Sequence, residues 1–150
     1  MSIVSDIEKL KKEKNAVILA HYYVDEDVQD IADYIGDSFY LSKVATKIDQ
    51  DRIIFAGVEF MGESAKILNP DKRVFMPDMN ADCPMAHMAD KDEILKLREE
   101  YDDLAVVCYI NSTAELKKYS DVCVTSSNAV KIVKNLPNKN IFFIPDRNLG

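Results

Sequence analysis

Ala16-Val17-Ile18-Leu19-Ala20-His21-Tyr22-Tyr23 has a counterpart further along the chain in Leu104-Ala105-Val106-Val107-Cys108-Tyr109-Ile110-Asn111. An offset of 88 residues carries His21 to Tyr109, Ser38 to Ser126 and Phe55 to Phe143, so that residues 16–57 align with residues 104–145 without a gap. Each copy reads as an apolar run closed by a ring-bearing side chain, a helical stretch, a serine opening another helix, and a second apolar run. Strands alternating with helices predict parallel sheets covered by helices through right-handed crossovers. The expected fold is therefore α/β, built from duplicated three-layer αβα modules. Ligands of parallel sheets bind beyond the carboxyl ends of the strands, which is where His21 and Tyr109 fall.

Outside the repeat, the composition narrows the class. The chain has 150 residues, long enough for one domain or two small ones with a true core. Hydrophobic residues make up 47% and charged residues 30%, the balance of a globular chain rather than a disordered one. A net charge of −7 opposes general binding to nucleic acid or to an anionic membrane surface. No apolar run approaches the length of a membrane span and no basic leader precedes an apolar core, so the expected location is cytoplasmic. Cys83, Cys108 and Cys123 are odd in number and lack CxxC spacing, which disfavours both a disulfide framework and a zinc ribbon.

The elements follow from periodicity. A first helix carries Ile3, Ile7 and Leu10 on one face, and the strand 16–20 comes next. Val28, Ile31, Ala32 and Ile35 predict a helix from near Asp25 to Gly36, and a further helix begins at Asp37 or Ser38. Strand 52–58, helix 60–68 and strand 73–76 complete the first module. The stretch 79–85 is a loop that leaves Cys83 exposed, and helix 90–101 links onward. The second module reads as strand 104–110, helix from Thr113, strand 122–125, helix from Ser127 and strand 141–144. Residues 1–90 and 91–150 are the expected modules, the second lacking a last layer.

Four glycines form neither GxGxxG nor GxxxxGK[ST], which disfavours the usual nucleotide-cradling folds. Anion binding would instead use helix N-termini, where Ser38 and Ser126 are expected, although each could be an ordinary cap. His21, Tyr23, Tyr109 and Asn111 could each be satisfied edge-of-core residues; the repeat gives the four related addresses. Alternation points Cys108 away from Tyr109 and into the core, and Cys123 among valines reads the same way. Cys83, in a loop, is the thiolate that could reach a metal.

His21-Tyr22-Tyr23, Gly36-Asp37-Ser38, the loop from Asn80 to Met85, Tyr109-Ile110-Asn111-Ser112, the run from Thr125 to Lys131 and Pro145 to Gly150 together resemble the quinolinate synthase (NadA) family, in order and over the whole chain. The resemblance implies a cytoplasmic enzyme of NAD biosynthesis that condenses iminoaspartate with dihydroxyacetone phosphate to quinolinate, with L-aspartate oxidase supplying the iminoaspartate. It implies a 4Fe-4S cluster and three similar αβα domains about a pseudo-threefold axis, of which the repeat would be two. Carried over residue by residue, Cys83 matches a cluster cysteine. His21, Ser38, Asn111 and Ser126 match positions that hold the dicarboxylate, with Tyr109 beside them, and Tyr23 matches a catalytic tyrosine suited to proton transfer; Tyr109 is a second catalytic candidate. The family's other two cluster cysteines lie beyond the part of the pattern that this chain covers, and Cys108 and Cys123 do not match them. The expected reading is thus an amino-terminal half that is inactive alone and needs the missing carboxyl-terminal half. The alternative is a non-catalytic α/β module that binds a small anionic metabolite at the same strand ends, or a scaffold whose open edge a partner chain covers.

Overall fold

The computed structural model describes residues 2–146 and 148–150. The chain divides into two compact units, Met1–Asp82 and Cys83–Gly150. In the first, helix α1 (Ile3–Glu13) leads into β1 (Ala16–His21), α2 (Glu26–Asp30), β2 (Tyr34–Gly36), α3 (Ser38–Ala45), β3 (Arg52–Ala56), α4 (Glu59–Leu68) and β4 (Arg73–Phe75). In the second, α5 (Lys91–Glu100) is followed by β5 (Leu104–Tyr109), α6 (Ala114–Lys118), β6 (Val122–Val124), α7 (Ala129–Val133) and β7 (Asn140–Ile144). Both sheets are parallel, with strand orders β2-β1-β3-β4 and β6-β5-β7.

The duplication extends to single residue pairs. Leu19 pairs with Tyr34 and Phe55 in the first sheet, and Val107 pairs with Val122 and Phe143 in the second, each contact displaced by the same offset. The central strands β1 and β5 share one burial pattern, four buried residues between two half-buried ends. Such runs are apolar throughout because helices cover both faces of a parallel sheet. In the second unit Val106, Cys108 and Ile144 pack with Ile94 of α5 and Leu116 of α6, while Val107 and Val124 pack on the other face with Ala129 of α7. In the first unit Leu19, Ile53 and Phe55 are fully buried, as are Leu41 and Ala45 of α3 and Ala65 of α4.

An interaction absent from the sequence reading ties each central strand to the turn after its first crossover. The Asp33 carboxylate accepts the Ile18 backbone N–H at 2.7 Å, and the Asp33 N–H donates to the Ile18 carbonyl at 2.9 Å. Asp121 repeats both bonds with Val106 at the same two distances. A cation from the preceding helix completes each clamp, Lys11 on Asp33 at 2.9 Å and Arg98 on Asp121 at 2.8 Å. Asp33→Ala and Asp121→Ala leave a strand N–H without its acceptor, and each is expected to cost about 1.5 kcal/mol. Urea unfolding of the two variants measures this; an unchanged midpoint would show the carboxylates to be dispensable.

Three expectations need correction. Residues 25–36 do not form one helix: α2 ends at Asp30 and Tyr34–Gly36 is an edge strand. The apolar positions at helical spacing are used partly by α2 and partly by pairing with β1, which outweighs local propensity once Asp33 anchors the turn. Helix α5 is more than a link, because it occupies in the second unit the place of α1 in the first, each helix running directly into its central strand. Cys123 is exposed, not buried. It lies on the three-residue edge strand β6, where alternation fixes the face but leaves the outer side uncovered. Unit 2 contains counterparts of β1, β2 and β3 and, among the described residues, none of β4.

Candidate functional site

The sequence places polar side chains at the carboxyl ends of the two central strands, and the structure keeps them there. His21 is the last residue of β1 and is half-buried. Its Nδ1 accepts the Tyr23 backbone N–H at 3.2 Å, so the neutral ring carries its proton on Nε2. The ring stacks on Tyr22 at 4.6 Å and meets Tyr23 edge-on at 4.7 Å. Burial lowers the His21 pKa below the ordinary 6.5, and the nearby Asp37 carboxylate offsets part of that shift. His21 is therefore neutral at pH 7, with an N–H free to donate to an anion. An NMR titration of the ring is expected to give a midpoint below 6.5. Because the folded value is the lower one, this group favours the fold above pH 6.5 and progressively less as the pH falls through the folded value. A midpoint above 6.5 would mean that Asp37 outweighs burial.

Tyr23 lies in the turn after β1 with 83% of its surface exposed, so its hydroxyl is available to a bound molecule. Ser38 is the first residue of α3, half-buried, directly after the cap residue Asp37, whose carboxylate accepts the Tyr40 N–H at 2.7 Å. Gly36 sits beside His21 in register, and its carbonyl accepts the Tyr22 N–H, which brings the start of α3 near the end of β1. A Cβ at Gly36 would meet the Tyr40 ring, so glycine lets this turn pass close to that side chain.

In the second unit Tyr109 closes β5, half-buried. The Asn111 amide donates to the Tyr109 hydroxyl at 3.3 Å, and the buried Ser112 hydroxyl donates to the Tyr109 carbonyl at 2.8 Å. Asn111 and Tyr109 thus form one polar group at the strand end. Ser126 departs from expectation: it is exposed in the turn three residues ahead of α7, not at a helix start. That turn is shaped by Asn128, whose side chain accepts the Thr125 N–H at 2.7 Å. The helix therefore opens later than in the first unit, where Asp37 caps α3 directly before Ser38.

Cys83 precedes the 3-10 turn Pro84–His87, its carbonyl accepting the Ala86 N–H at 2.9 Å. It is half-buried, less accessible than its loop position led one to expect, and Cys123 exceeds it in exposure. Among the described residues no three His, Cys, Asp or Glu side chains converge into a metal-holding group. Cys83 offers one thiolate, and the described residues do not gather the several ligands of an iron–sulfur cluster. No helix among the described residues is long and apolar enough to cross a membrane.

The family model for NadA, quinolinate synthetase A protein, matches residues 5–150. The chain belongs to the quinolinate synthase family. Similar relatives carry the name quinolinate synthase. One from Fusobacterium nucleatum is 68% identical over 144 residues, covering 96% of this chain and 48% of the relative. One from Clostridium perfringens is 58% identical over 150 residues, covering all of this chain and 50% of the relative. One from Caldicellulosiruptor saccharolyticus is 55% identical over 148 residues, covering 99% and 49%. The chain spans about half the length of the curated relatives it matches. His21 and Tyr109 end the central strands of the two units. The clamp residues Asp33 and Asp121 hold the strands that carry them.

Proposed function

We propose that this chain supplies part of a quinolinate synthase, the enzyme of NAD biosynthesis that joins iminoaspartate and dihydroxyacetone phosphate into quinolinate with release of phosphate and water. The carrying observation is that His21 and Tyr109 end equivalent central strands in a chain matched to this family over residues 5–150. Parallel sheets bind ligands at that end.

His21, Ser38, Tyr109, Asn111 and Ser126 are assigned to the carboxylates of iminoaspartate. A neutral imidazole N–H, hydroxyls and an amide bind anions by hydrogen bonds alone, which suits an acidic chain. Tyr23 and Tyr109 are assigned to proton transfer, the exposed Tyr23 hydroxyl during isomerisation and ring closure and the Tyr109 hydroxyl, held by Asn111, beside it in role. L-aspartate oxidase is the expected source of iminoaspartate, and the cytoplasm the expected compartment.

A 4Fe-4S cluster is the proposed cofactor, with Cys83 as one thiolate ligand; when bound, it would supply Lewis acidity toward a substrate oxygen. The isolated chain is expected neither to retain stoichiometric iron nor to form quinolinate. Anaerobic reconstitution with iron and sulfide, alone and after addition of the remaining half of a relative, tests this by iron content and quinolinate yield. Turnover by the 150-residue chain alone would overturn it. Binding of a dicarboxylate by the chain, with no quinolinate formed even after that addition, would favour the non-catalytic binding module.

A further inference from the structure

Cys108 and Cys123 are register partners on adjacent parallel strands, so their side chains leave the sheet on the same face. Neighbouring strands lie about 4.8 Å apart, inside the Cα separation of about 4.4–6.8 Å that a disulfide bridges. The two thiols therefore lie side by side across the strand pair. Their surroundings differ sharply. Cys108 is fully buried against Ile94 and Leu116, its sulfur 2.8 Å from the Ser112 hydroxyl, whereas Cys123 is exposed on the edge strand. One thiol open to solvent, with a shielded thiol at its side, is the arrangement of an attacking and a resolving cysteine.

We propose that Cys108 and Cys123 form a redox-active dithiol that closes to a cross-strand disulfide on reaction with a small-molecule disulfide of the glutathione class. The Cys123 thiolate attacks one sulfur of that disulfide, forming a mixed disulfide and releasing one thiolate. Cys108 then gives up its proton and attacks the Cys123 sulfur, forming the Cys108–Cys123 bond and releasing the second thiolate. Two electrons and two protons pass from the protein thiols to the small molecule, which leaves as two thiols.

The short edge strand β6 pairs with β5 alone, so it can adjust to the bond. Cys108 adjoins Tyr109, and Cys123 lies three residues before Ser126, so closure would act directly beneath the strand ends described above. The inference rests on the register and burial of the two cysteines and does not depend on the catalytic reading.

The three cysteines fall on separate tryptic peptides, 74–91, 99–117 and 119–131. The folded protein would be treated with graded glutathione disulfide, blocked with N-ethylmaleimide, digested and analysed by mass spectrometry. The expected result is joint loss of the alkylated Cys108 and Cys123 peptides and appearance of a 99–117/119–131 cross-link that dithiothreitol reverses. Cys108→Ala is expected to leave a stable glutathione adduct on Cys123, and Cys123→Ser to leave Cys108 unreacted until unfolding. A persistent Cys123 adduct in the unsubstituted protein, with Cys108 alkylated only on unfolding, would overturn the proposal. So would cross-linking that runs mainly through Cys83. The unsubstituted protein decides the matter even if a variant fails to fold.

Discussion

Cys83→Ala is expected to abolish both iron binding and quinolinate formation once the chain is joined to the remaining half of its Fusobacterium nucleatum relative. A methyl group cannot donate a thiolate to iron, and the described residues gather no group of three His, Cys, Asp or Glu side chains that could hold the metal in its place. Cys108→Ala in the same background should retain iron, because Cys108 is packed between Ile94, Leu116 and Ile144. The brown absorbance after anaerobic reconstitution, iron content and quinolinate yield read the two variants side by side. Retention of iron by Cys83→Ala would remove this cysteine from the ligand set without touching the family assignment.

Phe55→Ala is expected to give the largest loss of stability in the first unit. Phe55 has no exposed surface and pairs in register with Leu19, itself fully buried at the centre of the sheet. Removing the ring forfeits its transfer free energy and leaves a cavity that two-sided packing cannot close, at about 3–5 kcal/mol. Its repeat partner Phe143 is half-buried, so Phe143→Ala should cost less. Denaturant unfolding of the two variants provides an internal comparison. Equal losses would show that the burial of Phe55 is not what distinguishes the two sheets.

The repeat was legible because its signals are strong and local: six-residue apolar runs, ring-bearing residues at their ends, and Thr113 in place to cap α6. The edge strands β2 and β6 have three residues each, too few for a period to be read. Val122-Cys123-Val124 still read as a strand because it is rich in β-branched residues, whereas Tyr34-Ile35-Gly36 was absorbed into a helical pattern begun by Val28. The alignment itself contained the remedy, since one copy's strand predicts the other's. It also contained Asp33 and Asp121, identical residues at equivalent positions, whose role could not be seen until the backbone N–H groups they accept from were located. The exposure of Cys123 was beyond reach for another reason. Alternation tells which face a side chain takes, but whether a helix reaches far enough to cover a sheet edge is decided by tertiary packing. His21 and Tyr109 close their strands as the repeat predicts, with Tyr23 and Asn111 two residues on, whereas the turn around Ser126 and the accessibility of Cys83 differ from expectation.

The strand orders β2-β1-β3 and β6-β5-β7 mean that each sheet is laid down from its middle outward. The first strand to leave the ribosome becomes the centre, the next docks on one flank and the third on the other. No strand waits for a partner from the far end of the chain, since Leu19 finds Tyr34 and then Phe55, and Val107 finds Val122 and then Phe143. Short sequence separations of this kind favour rapid closure, and the first sheet can be complete while the second is still being translated. The apolar β1 is therefore shielded early, which limits the interval in which a nascent chain would offer it to a neighbour.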